Sequence, residues 1–466
     1  MNKKFAVLLS FILVASFVLT ACAPAAAPAP APQPTTAPVA ASPTRAPAAP
    51  QPTKAPEPTA APAAAEAKPV TINWWHITTA DNQKAVWQKL ADEYMAAHPN
   101  VKIEITVLEN EAFKTKMTTT MQSGEPPDIF QSWGGGVMNE YVKAGLLKDI
   151  TADLDASSGA WRNTFSPGAL GVYSYQGKNY GVPWDMGMVG FWYNKALFEK
   201  AGITAPPATW SELLDDVKKL QAAGITPIAL GEGDKWPGAF WWEYLATRLG
   251  GQAGFNAAQS RTGAFTDQPF VDAGKKLQEL TALKAFQDGF LGATWSDEAT
   301  TIGNGKAAMD LMGQWAPGAF NDNSPDKKGI GDNLAWFPFP AVEGGAGAAI
   351  DALGGGNGFA LGKNASPEAV DFVKYLTRAE SQVACAKEGF CVPVVKGGEA
   401  GLTDPLLKKV QTGAAAAKYF QLYYDQYLPP AMGSVVNDSV QGIFAGTMTP
   451  EQAAQALEDS AKKELK

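Results

Sequence analysis

Histidine is almost missing from this chain: His76 and His98 are the only two in 466 residues. Cysteine is nearly as scarce, at three. Two of the three, Cys385 and Cys391, form a local pair with neither histidine near them in sequence, so no zinc site of the Cys/His kind is expected. Positive charge is not in excess either. There are 38 basic residues against 46 acidic ones, for a net charge of −8, and no basic stripe, which argues against nucleic acid as a partner. Beyond the amino-terminal segment no apolar run is long enough to span a membrane. Glycines cluster at 134–136 and 354–356, but neither run is followed by Lys-Ser or Lys-Thr. They read as backbone turns rather than phosphate loops. No metal and no cofactor is expected.

What is present begins with an export signal. Lys3 and Lys4 precede an apolar stretch, 5–18, and then small residues, the layout of a signal peptide over 1–21. That stretch is too short to serve as a lasting span. Leu19-Thr20-Ala21-Cys22 resembles a bacterial lipobox, in which Cys22 is diacylated and becomes the first mature residue. The alternative is an ordinary signal peptide with an incidental cysteine. Residues 23–68 are mostly Ala and Pro with almost no large apolar side chain, so they cannot bury a core. Frequent proline favours an extended, semi-rigid spacer. Residues 22–68 are therefore expected to be a lipidated cysteine and a tether. Outside the cell disulfides persist, so Cys385 and Cys391 are expected to be bonded; the alternative is two free buried thiols.

The remaining roughly 400 residues exceed the size at which a single core keeps growing, and two lobes are expected. Val70, Ile72 and Trp74 alternate with polar residues as in a strand. Asp81 can cap a helix running to about His98, with Val86, Leu90 and Tyr94 on one face. Val101, Ile103, Ile105 and Val107 alternate strictly, a helix follows over 112–123, and 129–132 is a short strand. This β-α-β-α-β order implies a mainly parallel sheet, with ligands at the carboxyl ends of its strands. Trp74, Trp75, His76, Glu109, Asn110 and Trp133 fall there. Further on, Trp184 and Asp185 precede a strand over 188–193, and Thr209 and Glu212 have capping-box spacing. Trp236 sits between Lys235 and Pro237, ahead of Trp241 and Trp242 at a helix start. Gly313-Gln314-Trp315 ends a strand that starts at Met309, and 351–358 reads as a flexible glycine cluster.

Fourteen tryptophans recur in Gly-rich loops, which points to a ligand with flat apolar faces. Trp133, Trp236 and Trp315 each lie on a Gly- or Pro-bearing loop after a strand. Trp184 beside Asp185 joins a stacking face to a hydrogen-bond acceptor, as do Trp75 with His76 and Glu109 with Asn110 on the other lobe. Asp185 can equally hold a hinge, His76 can pack a strand end, and at least one of Trp241 and Trp242 is structural. Trp87, Trp161, Trp192, Trp210, Trp295 and Trp336 read as core or surface.

Taken together, NWWH, SGEPPDIFQSWGGG, GVPWDMGMVGFWYNKALFEKAGI, TWSELLDDVKKL, ITPIALGEGDKWP, MDLMGQWAP, ALGGGNGFALG and TPEQAAQALEDSAK make the chain resemble the family 1 extracellular solute-binding proteins of ABC sugar importers. The resemblance covers residues 70–466. It implies an α/β periplasmic-binding-protein fold: two lobes, each a mainly parallel sheet flanked by helices, joined by three crossing segments. Residues 69–183 and 349–412 would form lobe 1, and 184–348 and 413–466 lobe 2. The crossings would fall near 181–188, 349–355 and 413–423. It further implies an oligosaccharide held in the cleft, with Trp133, Trp236 and Trp315 stacking on sugar rings and Asn110 and Asp185 binding hydroxyls. Trp241, Gln314, Asp351 and Gly355 complete the candidate set. KWPGAFWWEYLATRLGG and NLAWFPFPAVEGG look most like the branch that binds xylobiose and related short oligosaccharides, with raffinose-type and amino-sugar binders close by. The implied partners are two permease subunits with their ATPase and the membrane that takes the lipid, and the implied state is a monomer. The rival classes are a secreted glycoside hydrolase, for which no motif places a carboxylate pair, and a carbohydrate-binding adhesion module.

One prediction concerns the anchor. Cys22→Ser should abolish acylation, so that the protein is released or its precursor stays uncleaved. Detergent partitioning followed by mass spectrometry checks this; a variant still partitioning as a lipoprotein contradicts it.

Overall fold

A computed structural model describes residues 68–465. The expected signal peptide, Cys22 and nearly all of the tether lie outside the described residues.

The chain opens as its periodicity predicts. β1 (Val70–His76) buries Ile72, Trp74 and His76 and turns Thr71 and Asn73 outward. α1 (Asp81–Ala97) buries Trp87, Leu90, Ala91 and Tyr94, spacings of three and four that place them on one face. Trp87 therefore takes the inward position expected of Val86, and its Nε1 donates to Thr78 Oγ1 at 3.1 Å. Asp81 is the first helical residue and not the cap, which is Ala80; there it still complements the positive end of the helix dipole. β2 (Val101–Val107) pairs parallel to β1 along its whole length. α2 (Asn110–Gln122) leads to β3 (Ile129–Ser132), also parallel to β1 and buried throughout, and α3 (Gly135–Lys143) follows.

The later strands tie two sheets together. β4 (Gly181–Met188) belongs to the first sheet and β5 (Gly190–Asn194) to the second, with only Val189 between them. After α4 (Trp210–Ala222), β6 (Thr226–Ile228), α5 (Trp236–Gln259), α6 (Gln268–Ala282) and α7 (Trp295–Gly303) come β7 (Ala307–Met312) and β8 (Leu334–Phe337). The second sheet has the order β8-β5-β7-β6. The chain then returns to the first sheet as β9 (Ala352–Leu361), which carries the helices α8 (Pro367–Leu376) and α9 (Ala379–Lys387) after it. β10 (Phe420–Leu422) completes the first sheet, in the order β10-β9-β3-β1-β2 with β4 also on β9. The terminal helices α10 (Pro430–Phe444) and α11 (Pro450–Glu464) lie with the second sheet, where Arg261 pairs with Glu458.

The sheets are more mixed than expected. In the first, β1/β2, β1/β3 and β9/β10 are parallel, while β9 runs antiparallel to β3 and β4. In the second only β6/β7 is parallel, and β5 is antiparallel to both β7 and β8. Parallel pairing needs a crossover connection. β5 arrives directly from the other sheet, so no crossover sets its direction. The expected lobe boundaries shift for the same reason. β4 stays in the first sheet through Met188, beyond 183/184, and β10 rejoins the first sheet although 413–466 was assigned to the second lobe.

The glycine cluster at 351–358 is no flexible loop. It is β9, between β3, β4 and β10. A Cβ at Gly354 or Gly356 would strike the carbonyls of Gly187 or Asp185, and one at Gly355 or Gly358 would enter the rings of Tyr423 or Tyr173. Glycine here allows close approach of neighbours.

Buried groups fix the crossings. Tyr244 Oη donates to Val189 O at 2.6 Å. The guanidinium of Arg248, wholly buried, donates to the carbonyls of Phe339, Pro340, Ala349 and Asp351 at 2.7–3.0 Å, which holds the second crossing onto α5. Beneath the second sheet, Glu298 and Asp310 lie fully buried against one another. Glu298 Oε2 accepts from Gly231 N at 2.6 Å, but its other oxygen and both oxygens of Asp310 have no donor unless one carboxyl keeps its proton. Burial holds both acids well above the usual carboxylate range, and Asp310's charge raises Glu298 further. The folded state thus binds protons that the unfolded chain has released above about pH 4.5. Stability from this pair is present at low pH and is lost as pH rises through the raised values. His76 works in the opposite direction but is silent above its unfolded value of about 6.5. Asp310→Asn should therefore flatten the fall in stability between about pH 6.5 and 8, a slope of up to ~1.4 kcal/mol per pH unit for each proton. Urea titrations across that range check this; an unchanged slope contradicts it.

Candidate functional site

A cavity of about 490 Å³ opens between the sheets, within the ~300–1,000 Å³ usual for small-ligand pockets. From the first lobe come Glu109 and Asn110 at the start of α2, Lys114 one turn further, Trp133 after β3, Trp184 on β4 and Asn357 on β9. From the second come Trp236 and Phe240 on α5, Trp295 opening α7 and Trp315 after β7, with Tyr423 after β10 beside them.

The second wall is almost continuously aromatic. Ring centroids are 5.9 Å apart for Trp236 and Trp295, 6.4 Å for Trp236 and Trp315, and 4.9 Å for Phe240 and Tyr423. Local structure places each ring. Thr294 and Asp297 form a capping box that starts α7 at Trp295. A Cβ at Gly313 would enter the Trp315 ring, so glycine lets that indole fold back over its own strand end. The first wall is more polar. Glu109 caps α2 by accepting from Glu111 N at 2.9 Å, and Asn110 Nδ2 donates to Glu111 Oε1 at 2.7 Å. Trp184 Nε1, Trp236 Nε1 and Tyr423 Oη are buried and have no hydrogen-bond partner among the described residues. Unmatched buried donors cost ~1–3 kcal/mol each, and all three belong to side chains that line this one cavity.

Of the residues expected here, Glu109, Asn110, Trp133, Trp184, Trp236 and Trp315 are brought together. The others hold the scaffold. Asp185 is fully buried: Oδ2 accepts from Gln314 Nε2 at 2.6 Å and Asn357 Nδ2 at 2.9 Å, and Oδ1 from Val392 N at 2.7 Å. Burial pushes it up to about 6, against these three hydrogen bonds, which favour its charge. Asp185 and Gln314 therefore join the lobes, an arrangement that fits the hinge reading of Asp185. Asp351 accepts from Ala348 N at 2.7 Å and Tyr419 N at 3.2 Å, tying the second crossing to the third. Gly355 touches the cavity only through Tyr423, whose ring lies on its backbone. Trp241 is core, edge-on to Phe191 at 5.3 Å, and Trp242 is core as well. His76 is buried beside Trp74, Nδ1 accepting from Thr78 N at 3.2 Å; burial pushes it down to about 4, so it packs a strand end as a neutral ring. Trp75 lies under Lys116 Nζ, 4.2 Å from its ring centroid, away from the cavity.

Sequence reasoning missed Phe240, Trp295, Tyr423 and Asn357. Phe240 stands four residues after Trp236, the same helix face, and Trp295 follows a legible capping signal. Trp87, Trp161, Trp192, Trp210 and Trp336, read as core or surface, are all buried. Cys385 and Cys391 are disulfide-bonded, with Cα atoms 5.7 Å apart, next to Val392, which holds Asp185. Among the described residues no cluster of three metal-ligating side chains occurs, and no helix is long and apolar enough to cross a membrane.

Two lobes, three crossings and a cleft walled from both sides define a two-lobed solute-binding protein. The chain belongs to the bacterial extracellular solute-binding proteins, whose family model matches residues 79–383. It is accordingly a binding protein and not an enzyme, and its family places it outside the cytoplasm. A solved structure described for xylan utilization by the thermophilic bacterium Caldanaerobius polysaccharolyticus is 31% identical, with a TM-score of 0.78 over 84% of this chain and 100% of that one. A chitin oligosaccharide binding protein is 28% identical, with a TM-score of 0.77 over 85% and 99%. A multiple sugar-binding protein of Streptococcus mutans is 25% identical across 68% of this chain and 74% of its own length.

Asp185→Ala should cost about 3 kcal/mol or more in stability, because it leaves three buried donors without an acceptor. Urea unfolding measures this. A variant as stable as wild type but impaired in ligand binding would restore the direct-contact reading.

Proposed function

We propose that this protein captures an oligosaccharide outside the cytoplasmic membrane and hands it to the two permease subunits of an ABC importer with its ATPase. The carrying observation is the cavity itself, an aromatic wall facing a carboxylate-and-amide wall. A pyranose has apolar C–H patches and a rim of hydroxyls. Indole faces cover the patches with large area at low entropy cost. Asn110, Asn357 and Glu109 offer donors and acceptors to the rim. The xylan-utilization relative supports xylobiose or a similar short oligosaccharide as the ligand. Cys22 would anchor the monomer by its acyl chains, with 23–68 as the stand-off.

A thermal-shift screen across xylo-, malto-, raffinose-type and chito-oligosaccharides identifies the sugar, since saturation at a hundredfold Kd adds ~2.7 kcal/mol. With that sugar, Trp315→Ala should weaken binding by roughly 30-fold or more, the ~2 kcal/mol of a buried aromatic anchor. Trp133→Ala and Trp236→Ala should act in the same direction, and Trp295→Ala joins them as a wall residue. Trp75→Ala, away from the cavity, should leave affinity unchanged. Calorimetry decides: wild-type affinity in all four cleft variants overturns the assignment, and sugar cleaved during incubation overturns the receptor reading.

A further inference from the structure

We propose that the ligand cleft continues past Trp133 into a second chamber, and that the protein takes an oligosaccharide with at least one sugar unit beyond those held in the first cavity. The inference rests on the sugar reading of that first cavity and extends it. A second cavity of about 920 Å³ adjoins the first, and the two volumes together exceed the ~1,000 Å³ upper end for small-ligand pockets.

Lys114, Trp133, Asp425 and Gln426 line both cavities. They form a neck: Lys114 and Trp133 from the first lobe, and Asp425 and Gln426 from the segment between β10 and α10. Lys114 Nζ lies 6.0 Å from the ring centroids of Trp133 and of Trp236, so it stands between the two indoles across the cleft. It is held by Glu111 Oε1 at 2.9 Å and is partly exposed. Trp133 thus borders both chambers.

Beyond the neck the two walls differ in chemistry. The first lobe gives an apolar wall: Trp133 after β3 and Tyr141 on α3 are partly exposed, with Phe113, Met117 and Met121 on α2 and Phe130 on β3 buried behind them. The second lobe gives a polar wall: Asp234 and Lys235 before α5, and Ser434, Asn437 and Asp438 on α10. Lys235 Nζ is paired with Asp438 Oδ1 at 2.6 Å, and Asn437 Oδ1 is buried without a donor. Asp234 is raised by its burial and by the charges of Glu111 and Glu109 across the cleft. An anion would meet carboxylates here, and an all-apolar group would strand the polar wall. A sugar ring lying between the walls satisfies both, its C–H face on Trp133 and Tyr141 and its hydroxyls toward the acids, amide and serine. Because the walls belong to different lobes, a ring in this chamber also adds contacts across the closed cleft.

The test is a length series. The linear oligosaccharide identified by the screen is titrated as disaccharide, trisaccharide and tetrasaccharide into wild type and Ser434→Trp. Ser434 is exposed and lines the second chamber but not the first, so an indole there narrows it. Wild type should gain about tenfold or more in affinity from disaccharide to tetrasaccharide. Ser434→Trp should bind the disaccharide like wild type and lose the gain. A wild-type affinity that is flat beyond the disaccharide overturns the second chamber and leaves the first standing; this readout does not depend on the variant. A Ser434→Trp protein that keeps the full gain overturns it too. If no oligosaccharide of any length binds, the sugar reading itself falls and this inference with it.

Discussion

The carboxylate of Asp185 accepts hydrogen bonds from three stretches of chain that are far apart in sequence: Gln314 at the end of a second-sheet strand, Asn357 on β9 and Val392 beside the disulfide. Most else depends on this convergence. It sits where β4 and β9, the two strands that carry the chain between lobes, lie side by side. The neighbouring Trp184 and Asn357 are thereby fixed as one edge of the cleft, and Gln314 ties the loop bearing Trp315 to the opposite sheet. A buried carboxylate with fewer partners would protonate or take up water; one with three well-aligned donors orders them. The cleft floor and the hinge are therefore one hydrogen-bonded unit.

Much of the architecture was legible in the sequence. Alternation in 70–76 and 101–107 and the apolar face of α1 announced the βαβαβ opening, and Gly- or Pro-flanked tryptophans after strands announced half of the aromatic cleft. The rest was hidden for a physical reason. A buried aspartate at a hinge and an aspartate that grips a ligand are the same residue type in similar loops. Only the partners distinguish them, and the partners of Asp185 are 129, 172 and 207 residues away. Asp351 and Gln314 present the same ambiguity. The glycines of β9 misled in another way. Four glycines in a short stretch suggest looseness, yet in the fold they admit two tyrosine rings and two carbonyls at contact distance. Absence of a side chain is invisible as a packing signal until the neighbour that fills the space is known.

The two lobes also divide their chemistry. The second carries the continuous aromatic wall and, behind it, carboxyls that burial raises above the usual carboxylate range: Glu232 and Glu243 as well as Glu298 and Asp310. The first carries the capped start of α2, with its amide and carboxylate, and the disulfide-braced loop. Apolar contact is tolerant of ligand identity, whereas hydroxyl recognition is not. In the first cavity the groups suited to hydroxyl recognition thus lie mainly on the first lobe.

Arg248 has a mechanical consequence. Its guanidinium spends its donors on the carbonyls of the fourteen-residue connection at 338–351, a segment long enough to behave as a slack tether. Bound this way, the segment moves with α5 as part of one rigid body. A nominally long linker is reduced to a short pivot near β9, matched to the single residue, Val189, that separates β4 from β5. Torsion between the lobes is then concentrated at a few adjacent bonds instead of being spread along a loop, so the lobes swing about a defined axis rather than wobble.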